Sequence, residues 1–71
     1  MFSSRYRMLG ARIAYNRKLK GMTQQQLALA VGITHGYLSS IERGISQGMP
    51  MSLLWLISDK LEIEVVELFK S

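Results

Sequence analysis

The side chains best suited to acid–base or nucleophilic chemistry in this 71-residue sequence stand close together: His35, Ser39, Ser40 and Glu42. Catalysis would need a base within reach of a nucleophile and a pocket with donors aimed at a developing charge. These four residues share one helical stretch, and no pattern around them signals a concave site. The reading is therefore not an enzyme. A single histidine and no cysteine supply neither a cysteine–zinc site nor a catalytic thiol, and no cofactor, metal or small-molecule effector is indicated. What remains is the hydrogen-bonding capacity of short polar side chains held on a helix.

The elements around them are unusually well marked. Thr23 and Gln26 have capping-box spacing, in which a hydroxyl and an amide satisfy each other's orphan backbone N–H groups at a helix start. Leu27, Ala28, Ala30 and Val31 give that helix an apolar face. Gly32 falls where a helix ends in a left-handed residue. Thr34 can cap a second helix over about His35–Arg43, and Gly44 ends it in the same way. Helices of two turns cannot stand alone in water. Two of them joined by a short turn containing Gly form the helix-turn-helix pattern.

The flanking segments must provide the platform. Ser3 or Ser4 can cap a helix reaching about Lys20, with Met8, Leu9, Ile13 and Ala14 on one face and residues 1–7 expected as a short arm. Pro50 fits the first position of a helix over about Met51–Leu61, where its missing N–H costs nothing. Leu54, Ile57, Ser58 and Leu61 form its core face; Leu53, Trp55 and Leu56 lie outside that face, so the helix is apolar nearly all round. A last short helix spans about Val65–Phe69. The expected fold is all-α: one domain over 1–71, five helices and no strand.

Charge is unevenly spread. The net charge is +4, yet residues 1–41 carry six bases and no acid, while all five acids lie at or after Glu42. Such a split fits a basic side that meets a polyanion, or simply a solvated basic face on helix 1. No apolar run approaches the roughly 20 residues that span a bilayer, and no signal-peptide core follows the N-terminal charges. A cytoplasmic protein with no membrane partner is the expectation.

The stretch Ile13–Phe69 resembles the lambda-repressor-like domain of the Cro and XRE helix-turn-helix type. The resemblance rests on Arg17, Thr23-Gln24, Leu27-Ala28, Gly32 and Ile41-Glu42-Arg43-Gly44 together. Tyr37-Leu38-Ser39-Ser40-Ile41-Glu42-Arg43, with the spacing of Leu54, Ile57, Leu61, Ile63 and Leu68, is most similar to SinR-type regulators and restriction–modification controller proteins. Met49-Pro50 departs from the Asn-Pro of the SinR-type pattern.

The resemblance implies a sequence-specific regulator of transcription, a small repressor or controller protein that reads the major groove of double-stranded DNA with helix 35–43. It places Gln24 on a phosphate and His35, Gly36, Ser39 and Ser40 toward the groove. Tyr37 then contacts backbone or base edges, and Arg17 pairs with Glu42. Thr23, Gln25, Thr34 and Arg43 complete the expected DNA-facing set with helix-start and phosphate contacts. None of the groove-facing residues is an Arg, Lys, Asn or Gln, so bidentate reading of guanine or adenine is not available there. His35 can donate to guanine N7 or O6, and Gly36 can bring the backbone close to DNA, or both can be ordinary exposed positions.

Trp55, Leu56, Val66 and Phe69 are either core residues of a tightly packed monomer or the interface of a homodimer on a palindromic operator. The resemblance to controller proteins favours the dimer. The alternative function is a protein-interaction module, an antitoxin or an antagonist of a larger regulator, working through this apolar surface.

Overall fold

The computed structural model describes the backbone of residues 2–70 and the side chains of residues 4–70. Among the described residues four α-helices and one 3-10 helix follow in order: α1 Phe2–Leu19, α2 Gln24–Val31, α3 His35–Glu42, α4 Met51–Leu61 and the 3-10 helix Val65–Phe69. There is no strand among the described residues. The expected fifth helix thus takes the tighter form. Its Glu67 N–H donates to the Glu64 carbonyl at 2.9 Å, an i to i−3 bond. Five residues are too few to close and extend an α-helical ladder.

All four α-helices end alike. A residue with positive φ follows the last turn: Gly21, Gly32, Gly44 and Glu62. The next N–H then reaches back five residues, from Met22 to Arg17, Ile33 to Ala28, Ile45 to Ser40 and Ile63 to Ser58, at 2.9–3.1 Å. This closure satisfies carbonyls that the helix itself leaves open. Glu62 adopts φ 58° without being glycine, and its side chain bonds to Lys20, the residue that follows α1.

The core is continuous through every element. Leu9 and Ile13 enter from α1, Leu27, Ala28 and Val31 from α2, Leu38 and Ile41 from α3, and Leu68 from the 3-10 helix. From α4 come Leu53, Leu54, Ile57 and Leu61. Leu53 therefore lies inside the core, against expectation. The reason is that α4 packs on α1, α2 and the 3-10 helix, so its buried stripe is wider than one ridge. Ser58, buried on the same stripe, donates to the Trp55 carbonyl at 2.9 Å. Pro50 sits one position earlier than expected, capping α4 with extended backbone (φ −67°, ψ 145°).

The expected arm is also corrected. Residues 2–7 are the first turns of α1, and Ser4 lies inside the helix, not at its cap; the Ser3 side chain falls outside the described residues. These turns are held by tertiary contacts. The Gly48 N–H donates to the Tyr6 hydroxyl at 3.2 Å, and Arg7 lies against Gly44.

The sequence's division of charge is partly folded away. Arg12 approaches Glu67 at 3.8 Å, Arg17 pairs with Glu42, and Lys20 pairs with Glu62. Three of the six N-terminal bases thus join α1 and the turn after it to acids from the second half of the chain, so the +6 of residues 1–41 is not presented as one basic surface. No helix among the described residues is long and apolar enough to cross a membrane.

Candidate nucleic-acid interface

The two short helices at the centre are built by their caps. Thr23 accepts from the Gln26 N–H at 3.0 Å, while the Gln26 side chain accepts from the Thr23 N–H at 2.9 Å. Thr34, with extended backbone (φ −76°, ψ 154°), accepts from the Tyr37 N–H at 3.0 Å. Each cap fixes where its helix begins. Gly32-Ile33-Thr34 is then the whole connection between α2 and α3, which pack on each other.

Arg17 of α1 fastens the far end of α3. Its Nε and Nη2 donate to Glu42 Oε2 and Oε1 at 2.7 and 3.1 Å, and its Nη1 donates to the Met22 carbonyl at 2.8 Å. Both side chains are buried, with exposures of 9% and 5%. The fork geometry satisfies the guanidinium on both prongs, which a burial this deep requires.

Gln24 extends the network to the front of α3. Its Nε2 donates to Glu42 Oε1 at 2.8 Å, and its Oε1 lies 2.9 Å from His35 Nε2. Sequence reasoning placed Gln24, His35 and Glu42 in the site, but not this bridge. Partners 18 and 11 residues apart leave no local spacing signal.

The other expected residues divide into groups. Thr34, His35, Gly36 and Arg43 are exposed along α3 and its ends, and Gln25 is exposed on α2. A Cβ on Gly36 would meet nothing within 4 Å, so the protein's own packing does not require glycine there. Tyr37 is half-buried against the core. Ser39 is half-buried. Ser40 faces inward in its bonding: its hydroxyl donates to the Tyr37 carbonyl and meets Ser46 Oγ, each at 2.7 Å. Its carbonyl also accepts from Ile45 and Ser46. Ser40 therefore holds the loop after α3 in place, and Ser46 is the partner that the sequence did not reveal.

Of the apolar set, Trp55, Leu56, Val66 and Phe69 are all exposed, with Trp55 at 58% and Phe69 at 54%. They do not fill the core. Phe69 also borders a groove of about 370 Å³ lined by Arg5, Tyr6 and Leu9.

A pair of capped two-turn helices, set at a fixed angle by a three-residue turn and braced by a buried ion pair, defines a helix-turn-helix protein. The chain belongs to the helix-turn-helix family, whose sequence model matches residues 13–68. It is 42% identical over 62 residues to the HTH-type transcriptional regulator SlrR of Bacillus subtilis (strain 168), across 87% of this chain and 41% of that one. To the HTH-type transcriptional regulator SinR of the same organism it is 38% identical over 58 residues, 82% of this chain and 52% of that one. The chain thus spans about half the length of these relatives.

Among solved structures, SinR in complex with DNA superposes with a TM-score of 0.81 at 35% identity, covering 87% of this chain and 98% of that one. The restriction-modification controller protein C.AhdI from Aeromonas hydrophila superposes at 0.84 with 30% identity, covering 90% and 96%. The resemblance read from the sequence to SinR-type regulators and controller proteins is thereby borne out, as is the all-α fold.

Proposed function

We propose that this chain is a sequence-specific DNA-binding regulator of transcription that works in the cytoplasm as a homodimer, each copy laying α3 in the major groove. The observation that carries the reading is the exposed front of α3. His35 and Gly36 face solvent there, with Arg43 exposed just past the far end, on a helix whose position is fixed by caps and by the Arg17–Glu42 pair. A recognition helix works in this way, with its first residues at base edges and its N-terminus favouring phosphate. The likeness to SinR bound to DNA supports it.

Thr23, Gln24, Gln25 and Thr34 then lie at the helix starts that face the phosphates, and one of the two Gln24 amide hydrogens is not used by Glu42. Tyr37 and Ser39 flank the groove from half-buried positions. Gly36 lets the helix backbone approach the base pairs. With few long polar side chains on α3, part of the specificity resides in DNA shape.

The exposed Trp55, Leu56, Val66 and Phe69 form the dimer surface, because large apolar side chains left in water usually mark a partner site. Two-fold pairing sets two α3 helices about 34 Å apart on a palindromic operator. The same apolar side chains favour the second reading, a module that binds another regulator.

A gel shift at increasing salt tests the proposal. Affinity should fall steeply, with a log–log slope of about −0.9 for each phosphate neutralised. No shift of random or promoter DNA at low salt would favour the interaction module.

A further inference from the structure

The hydrogen-bond chain from Arg17 to His35 has a direction. A carboxylate accepts and cannot donate. Glu42, held by Arg17, must therefore face the nitrogen of the Gln24 amide, which stands 2.8 Å from its Oε1. That turns the amide oxygen toward His35, 2.9 Å from its Nε2. An amide oxygen only accepts, so Nε2 must carry the hydrogen. A neutral imidazole has one N–H, and here it is spent inside the protein. The remaining nitrogen, Nδ1, is a bare acceptor on the first residue of α3.

We infer that His35 selects the exocyclic amine of adenine or cytosine, accepting from it through Nδ1, and that Gln24 is the positioning residue that sets this preference. The inference rests on the DNA-binding reading above and deepens it. In the major groove only adenine N6 and cytosine N4 donate, whereas guanine N7 and O6, thymine O4 and the phosphates all accept. A bare Nδ1 attracts the first pair and repels the rest. The donation to guanine that the sequence alone allows is thus removed by a partner 11 residues away.

Two measurements test this, and they fail separately. His35 is the only histidine in the chain, so imidazole nitrogen NMR of the free protein, recorded in alkaline buffer, reports it without overlap. The expected result is a single Nε2–H tautomer, whose hydrogen exchanges more slowly than in Gln24→Ala or in the near-isosteric Gln24→Met. A mixed or Nδ1–H population, or equal exchange in all three proteins, overturns the inference.

Selection of bound sites from random DNA is the second measurement. Wild type should favour adenine or cytosine at one half-site position by about fivefold, the worth of one hydrogen bond. That preference should vanish at that position alone in Gln24→Met and in His35→Ala. A guanine or thymine preference there, or an unchanged preference in Gln24→Met, overturns the inference while leaving DNA binding intact. No binding at low salt removes the DNA-binding reading and this one together.

Discussion

Gly10 of α1 lies against the Glu42 end of α3: a Cβ on Gly10 would stand 2.6 Å from the Glu42 carbonyl oxygen and closer still to that of Ile41. The two helices meet backbone to backbone, at the level where the Arg17 guanidinium also reaches Glu42. Glycine in mid-helix costs about 1 kcal/mol relative to alanine, and here it is what permits the approach.

Gly10→Ala should therefore destabilise the domain although it improves helix propensity. Carbonyl groups cannot swing aside as a flexible side chain does. Overpacking should outweigh the propensity gain by about 2 kcal/mol, or roughly 10 °C in thermal midpoint for a domain this small. A melting curve by circular dichroism decides; a midpoint at or above wild type would refute the close approach.

Glu42→Ala removes the partner of a buried guanidinium and one bond of Gln24. The expected loss is about 3–5 kcal/mol, because Arg17 is left charged and unpaired. An exposed pair would cost about 1 kcal/mol or less. Urea unfolding distinguishes the two, and a thermal midpoint lowered by only a degree or two would argue against the buried bridge.

Acid should weaken the Lys20–Glu62 link between the ends of α1 and α4, and the local Glu67–Lys70 pair at the end of the 3-10 helix. The Lys20 ammonium, by hydrogen bond and then by charge, holds Glu62 below its ordinary value of 4.5, and Lys70 does the same for Glu67. A carboxyl lowered in the folded state stabilises above its unfolded pKa, and that contribution is lost as pH falls through the folded value. The window therefore lies below pH 4.5. Glu62→Gln should be less stable than wild type at neutral pH and lose less on acidification, with the difference shrinking in high salt. Urea midpoints across that window check the sign; identical acid limbs would exclude the Lys20 link.

Trp55→Glu tests the assembly. At 58% exposure the side chain contributes little to the monomer core. The variant should sediment as a monomer where wild type is dimeric, with its monomer stability changed by about 0.5 kcal/mol or less. DNA affinity should fall with it, since one recognition helix is lost per complex. A wild type that stays monomeric at high micromolar concentration removes the dimer.

Much of this molecule was legible because its decisive local signals act over a few residues. Thr23 with Gln26, Thr34 with Tyr37, and Gly32 and Gly44 after their helices each act within one turn, so spacing alone located α2 and α3. The turn between them followed, and the face carrying His35 and Gly36 with it. Arg17 and Glu42 were paired through resemblance, since no local rule joins residues so far apart.

Tertiary structure decided the rest. It made residues 2–7 helix by giving Tyr6 and Arg7 partners at Gly48 and Gly44. It drew Leu53 into the core and left Trp55 outside. It gave Ser40 to Ser46 and turned the Gln24 amide between Glu42 and His35. Caps and closures are short-range and can be read along the chain. Which side of an apolar helix is covered, and which nitrogen of an imidazole keeps its hydrogen, depend on groups brought together only when the helices pack.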